Sequence, residues 1–364
     1  MSKIDTAGTQ QFKSISGSKR DSFKLSLKVV VFVVIAAFVI SDILYLFMNT
    51  GHASLKENAM TAEPVLQQTE AVSAEEAVIW KDGWVKYNGG IYEYKDGTMN
   101  FLLMGIDKNL DGTAVSGGLE GGQADFLALL VLDAEDESIK LIPINRNTMS
   151  TVEMFDENGE EMFKTTAQIA VQHGVGDGQE ESCEYQVKAV SNLFYQLPIH
   201  GYAALSLEGI VPLNDEIGGI DVVAPMDYMS SELNVREGEE LHLQGDDAYW
   251  FLRSRDQELG GADRRFSRQR VYLEALVSGL YSRIKEDPLS LITMYNSISN
   301  YVVTDIDSSE LAYLATQASK YTYDNSHISD IAGETVEGEI SDEFYVDDES
   351  LKKLIIDTFY KKVR

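Results

Sequence analysis

The sequence predicts a layered α/β domain preceded by one transmembrane helix. Three observations predict it. A long apolar run lies between Lys28 and Met48, a strand apolar on both faces (FLALLVLD) follows Asp125, and helical and strand patterns alternate from Glu184 onward.

The apolar run reads VVVFVVIAAFVI from Val29 to Ile40 and resumes as ILYLFM from Ile43 to Met48. At about 1.5 Å per residue, a helix of that length matches a hydrocarbon core of roughly 30 Å. Asp42 falls toward its outer end, where an interface can solvate it. Lys3, Lys13, Lys19, Arg20, Lys24 and Lys28 precede the run, against only Asp5 and Asp21. The positive-inside rule therefore predicts a cytoplasmic N-terminus and a single-pass cell-membrane protein whose C-terminal domain is extracytoplasmic.

The predicted organisation is a basic tail (1–28), the membrane helix (29–48), a linker (49–77), a small β-meander (78–98) and a main domain (99–364). The chain has 364 residues, 44% of them hydrophobic, with a net charge of −29. The 24 basic and 57 acidic residues beyond position 28 concentrate that charge outside, at about −33. Nucleic acid is excluded as a partner, because it requires a basic footprint. Cys183 is the single cysteine, so no intramolecular disulfide forms, and it reads as a small hydrophobe rather than a nucleophile, since no motif with a histidine partner accompanies it.

In the meander, turns are expected at Asp82-Gly83, Gly89-Gly90 and Asp96-Gly97. NFLLMGI (100–106) then forms a strand ending at Asp107. A glycine-rich loop leads to Asp125 and the FLALLVLD strand, and SIKLIPI returns the chain to Asn145-Arg146-Asn147. If these strands are neighbours joined by reversals, Asp107, Asp125 and Arg146 share one rim. Either each aspartate caps a strand end, or the trio holds a hard cation together with a phosphate ligand.

EYQVKAVSNLFYQL carries Val187, Val190, Leu193, Phe194 and Leu197 on one helical face. Tyr202–Leu205 is a strand, Ser206 caps a helix running to Glu216 despite Pro212, and IDVVAP is another strand. YWFLRSR reads as a strand with Arg253 and Arg255 on one face, and Asp263 as the cap of a helix starting at Arg264. On that helix Arg265 and Arg268 share a face. Arg253, Arg255, Arg264, Arg265, Arg268 and Arg270 crowd a short stretch of an acidic domain. Guanidinium forks suit bidentate oxyanion binding, which points to a phosphorylated ligand.

At these residues the chain resembles the LytR-CpsA-Psr family of Gram-positive cell-envelope glycopolymer ligases. The carriers, in order, are NFLLMGID, QADFLALLVLD, LIPINRNT, VKAVSNLFYQLPIHGYAALSLEGIVPLNDEIGGIDVVAP, FLRSR through RRFSRQR, SSELAYLATQA and EFYVDDESLKKLIIDTFY. The resemblance implies an α-β-α arrangement around a mixed central sheet. It also implies transfer of a teichoic acid, capsule or similar polymer from an undecaprenyl-pyrophosphate carrier to a muramic acid hydroxyl of peptidoglycan. Asp107 and Asp125 would hold Mg²⁺ (or Mn²⁺). Arg146, Arg253, Arg255 and Arg265 would grip the pyrophosphate with Arg268 and Gln269 in support, and the prenyl tail would lie in an apolar tunnel. Asp125, Arg146 and Arg255 would be the catalytic residues.

Two departures stand out. Gln123 replaces the usual arginine of the pyrophosphate site two places before the metal aspartate, and Asn145-Arg146-Asn147 replaces proline-arginine-aspartate. They leave open a non-catalytic or weakly active polyprenyl-pyrophosphate-binding regulatory protein. A lipid pyrophosphatase, using water as acceptor, is a further reading of the same cluster.

Overall fold

The computed structural model describes residues 49–364 apart from 56, 58–62, 67–71, 73–79, 109–120, 157–158, 256–259 and 340. The expected basic tail and membrane helix lie outside the described residues, among which no helix is long and apolar enough to cross a membrane. The chain divides into two compact units, Met1–Asn49 and Thr50–Arg364. The second unit holds the α/β domain.

Its first residues do not behave wholly as a linker. Residues 50–55 are helical and Leu55 is fully buried. A side chain on Gly51 would meet the Ser309 carbonyl at 2.5 Å, and His52 stacks on Tyr313.

Strands β1 (Val85–Tyr87) and β2 (Gly90–Tyr94) turn at Asn88-Gly89, both with positive φ. The centre is built by β3 (Thr98–Ile106), β4 (Ala124–Asp133) and β5 (Ser138–Ile144). All three are antiparallel neighbours, with Leu102 opposite Leu129 and Leu129 opposite Ile142. The β4–β5 turn is closed by Asp133, whose carboxylate accepts the Glu135 and Asp136 amides. After β5 come a hairpin of β6 (Met149–Phe155) and β7 (Glu161–Gln168) and the short helix α1 (Val171–Gly174). The long amphipathic helix α2 (Glu180–Leu193) follows. Strand β8 (Gly201–Ser206) runs parallel to β3.

Ser206 is extended and makes no side-chain cap. The segment after it is a 3₁₀ turn (Leu207–Gly209) leading into α3 (Ile210–Glu216), with Pro212 in the first turn, where its missing N–H costs no helical bond. A small module follows, of β9 (Ile220–Val223), β10 (Tyr228–Met229), β11 (Asn234–Val235) and β12 (Glu240–Leu243).

Here the expected YWFLRSR strand is corrected, because residues Asp246–Arg253 form helix α4. Asp246 and Asp247 favour a helix N-terminus, and Ala248 and Phe251, three apart, bury one face among Ile220, Val222 and Tyr272. That burial overrides the strand preference of the aromatic run.

The next helix is also corrected at its start. Helix α5 spans Gly261–Glu286, preceded by Gly260 with φ 77°, and Asp263 sits inside its first turn. The chain then forms α6 (Ser290–Ile298), β13 (Val302–Thr304), α7 (Ser308–Ala318), the hairpin of β14 (Gly333–Glu337) and β15 (Asp342–Val346), α8 (Asp348–Phe359) and β16 (Tyr360–Lys362).

The central sheet has the order β13-β8-β3-β4-β5 and is mixed, since β3 and β8 are its parallel pair. Strand periodicity divides its side chains. Leu102, Leu127 and Leu129 pack with Val187, Val190 and Ile355 from α2 and α8. Phe101, Ala128 and Leu132 face Leu273, Val277 and Leu314 from α5 and α7. This is the α-β-α layering.

Candidate functional site

The carboxyl end of β3 and the start of β4 are fastened by one atom. The Gln123 carbonyl oxygen accepts the Asp107 amide at 2.9 Å and the Asp125 amide at 3.0 Å. Beside it, Ala170 receives the Ala124 amide and donates its own to the Arg146 carbonyl, tying the end of β5 to the same rim. Gly122, with φ 74°, makes the turn, and its carbonyl lies 3.1 Å from His173 Nδ1. His173 is buried, and that burial pushes its pKa down to about 4, so the neutral ring donates this bond.

On this rim Arg146 donates to the carboxylate of Asp125 and to the side-chain carbonyl of Gln123. Burial pulls the Arg146 guanidinium below its ordinary value. Asp125 opposes the shift, while Arg265 and Arg255 add to it by repulsion. From α5, Arg265 reaches the other Asp125 oxygen at 2.8 Å. Arg253, at the end of α4, is 3.9 Å from Asp107 and lies over the Tyr249 ring. Ser254 is extended, and Arg255 follows it exposed.

The structure therefore brings Asp107, Gln123, Asp125, Arg146, Arg253 and Arg265 together, with Arg255 close enough to act on Arg146. Arg268 points elsewhere. It is fully buried and donates to the Phe251 and Ser254 carbonyls, while Gln269 approaches the Leu252 carbonyl at 3.4 Å. Arg270 turns to Asp330 at 2.7 Å and leaves the cluster.

A cavity of about 390 Å³ opens onto these charges, with Asp107, Asp125, Arg253, Arg265 and Gln269 among its lining residues. Its remaining wall is almost wholly apolar, from Phe126 and Leu205 on the sheet to Leu276, Leu280, Met294 and Leu311 on the helices. An apolar chamber with a charged mouth suits an amphiphile with an anionic head and a hydrocarbon tail.

Among the described residues, no group of three or more His, Cys, Asp or Glu side chains converges as a metal site. Asp107 and Asp125 supply two carboxylates at adjacent strand ends. Mg²⁺ binds through one or two carboxylates and fills its shell with water and phosphate oxygens; Asp107 could serve it directly, while Asp125 would first have to release a guanidinium, since Arg146 and Arg265 occupy both its oxygens.

Three contacts that support the site give no signal in the sequence. Asp263 accepts from Asn145 at 3.1 Å and so docks the start of α5 on the rim. His173 holds Gly122, and Tyr228 packs its ring 4.2 Å from the Arg268 guanidinium. Each contact joins distant segments, so no local spacing announces it.

A model described as the LytR_cpsA_psr family matches residues 49–357. A relative from Bacillus subtilis (strain 168), named polyisoprenyl-teichoic acid–peptidoglycan teichoic acid transferase TagV, is 30% identical over 199 residues, 53% of this chain and 46% of that protein. A similarly named TagU from Halalkalibacterium halodurans is 26% identical over 178 residues, 49% of this chain and 52% of that protein. The chain spans about half the length of the curated relatives it matches. The crystal structure of B. subtilis TagV aligns with TM-score 0.52 and 24% identity, covering 71% of this chain and 94% of that one. A structure described as TagT bound to LI-WTA aligns with TM-score 0.51 and 14% identity over 72% of this chain and 89% of that one. These likenesses carry the mixed α/β fold.

Proposed function

Because the chain belongs to the LytR-CpsA-Psr family, we propose that it is a cell-envelope glycopolymer transferase. It moves a polymer such as teichoic acid or capsule from a polyprenyl-pyrophosphate donor to a muramic acid hydroxyl of peptidoglycan. The observation that carries this reading is the apolar cavity whose mouth bears Asp107, Asp125, Arg253 and Arg265. The prenyl tail fills the cavity. Arg253, Arg255 and Arg265 receive the pyrophosphate, with Arg146 behind them.

The acceptor hydroxyl attacks the sugar-linked phosphorus, the bond from that phosphorus to the bridging oxygen breaks, and polyprenyl phosphate leaves. On this reading Asp125 takes the hydroxyl proton as one of its guanidinium partners turns to the phosphate. Asp107 and Asp125 would hold Mg²⁺, which neutralises phosphate charge. The chain's own arginines do the same and fix the head group in place. The reading includes a membrane anchor over residues 29–48 and an extracytoplasmic catalytic domain, which keep the site beside its lipid donor.

The test is transfer of labelled polymer from a lipid-linked donor to peptidoglycan by the full chain, with Arg255→Ala expected to abolish it. Intact transfer by that variant would remove Arg255 from the site. A second reading has its own support: both oxygens of Asp125 are held by guanidiniums, which makes it a weak base. On that reading the chain binds lipid-linked polymer and regulates, with tight binding and no turnover over several acceptors. Release of polyprenyl phosphate without ligation would instead identify a pyrophosphatase.

A further inference from the structure

We infer that Arg268 is a positioning residue, braced by Tyr228, that fixes Arg253 and Arg255 at the cavity mouth and takes no phosphate itself. The inference rests on the donor-binding reading of the cavity.

Arg265 and Arg268 lie one turn apart on α5, yet their chemistry diverges. Arg265 ends on Asp125. Arg268 is the largest fully buried side chain among the described residues, and its fork closes on backbone. Nε donates to the Phe251 carbonyl at 2.9 Å and Nη2 to the Ser254 carbonyl. The Phe251 carbonyl belongs to the last turn of α4 and has lost its helical partner because the helix stops there, and Ser254 is the extended residue that ends it. Gln269 adds the intervening Leu252 carbonyl. One turn of α5 thus holds three carbonyls around Arg253, and Arg255 directly follows the last of them.

The other side of the guanidinium is occupied too. The ring of Tyr228, itself buried in the β10 module, lies 4.2 Å from Cζ. A planar cation can fork onto two carbonyls and stack on a ring at once, which a lysine ammonium cannot. Arg253, Arg265 and Gln269 line the cavity and Arg268 does not, so its part in head-group binding is indirect. A displacement of about 1 Å in an oxyanion-binding guanidinium is enough to lower affinity strongly.

The experiment uses the full chain in detergent with farnesyl pyrophosphate as probe and farnesol as the phosphate-free control. Arg268→Lys and Tyr228→Leu are expected to weaken pyrophosphate binding about tenfold or more while leaving farnesol binding unchanged, and Tyr228→Phe to match the parent. In a background lacking both side chains that it positions (Arg253→Ala with Arg255→Ala), Arg268→Lys should add little. An equal loss in both backgrounds would make Arg268 an independent phosphate ligand and overturn the inference. So would parent-like pyrophosphate binding by both Arg268→Lys and Tyr228→Leu. Hydrogen exchange of the amides of residues 251–255 reads the brace without ligand and should speed up in both variants. Unchanged exchange overturns the inference, whereas failure of the parent to bind the probe counts against the function.

Discussion

Arg265 Nη1 lies 2.8 Å from Asp125 Oδ2, joining residues 140 positions apart and pinning the long helix α5 to the edge of the sheet. With Arg146 on the other oxygen, Asp125 is the counter-charge for two largely buried guanidiniums. Removing it strands both. Asp125→Asn is therefore expected to abolish transfer and to destabilise the chain by on the order of 3 kcal/mol. Paired urea denaturation and polymer-transfer assays check this, and a variant of parental stability would show that the arginines find other partners.

Gln123 makes the opposite prediction. Its side-chain carbonyl neutralises nothing but holds Arg146 by a hydrogen bond. Gln123→Arg replaces that acceptor with a cation beside Arg146, Arg265 and Arg255. The ligand-free chain should lose about 1 kcal/mol, while affinity for farnesyl pyrophosphate rises and falls more steeply with salt. Titrations at two ionic strengths give both numbers; an unchanged salt dependence would mean that the new side chain points away.

His173 sets an acid limit. Its folded pKa, held near 4 by burial, lies below the ordinary 6.5, so between these values the unfolded chain binds more protons. Stability from this group is fully present above pH 6.5 and is lost as pH falls toward 4, by roughly 3 kcal/mol. His173→Gln should flatten that slope of denaturation free energy against pH. A parental slope would assign acid sensitivity to the carboxylates.

The cavity is tested by filling it. Ala203, on β8, lines it, and Ala203→Trp places a large ring in the path of the tail. Affinity should fall more for undecaprenyl than for farnesyl pyrophosphate, with inorganic pyrophosphate unaffected. Equal loss for both lipids would place the tail elsewhere.

The β3–β5 rim is legible in the sequence because apolar strands, turn signals and polar residues at strand ends agree locally. Helix α4 is not, because Tyr249, Trp250 and Phe251 favour strands, while the deciding contacts, with Ile220 and Tyr272, are non-local. The spacing of Arg265 and Arg268 places them on one face without saying that one ends on a carboxylate and the other on the carbonyls of α4. The cavity has no sequence signature, since it is a space left between side chains of the sheet and five helices.

The shared carbonyl of Gln123 has an evolutionary consequence. Both stems of the connection between β3 and β4 end on that single oxygen, through the amides of Asp107 and Asp125. The backbone on the strand side of Lys108 and Gly121 thus holds the two aspartates by its own hydrogen bonds. Lengthening the insert between Lys108 and Gly121 adds closure entropy only logarithmically, about 0.6 kcal/mol per doubling. The site can therefore accept new sequence there, and with it new recognition of polymer or wall, while the rim that carries the chemistry stays as it is.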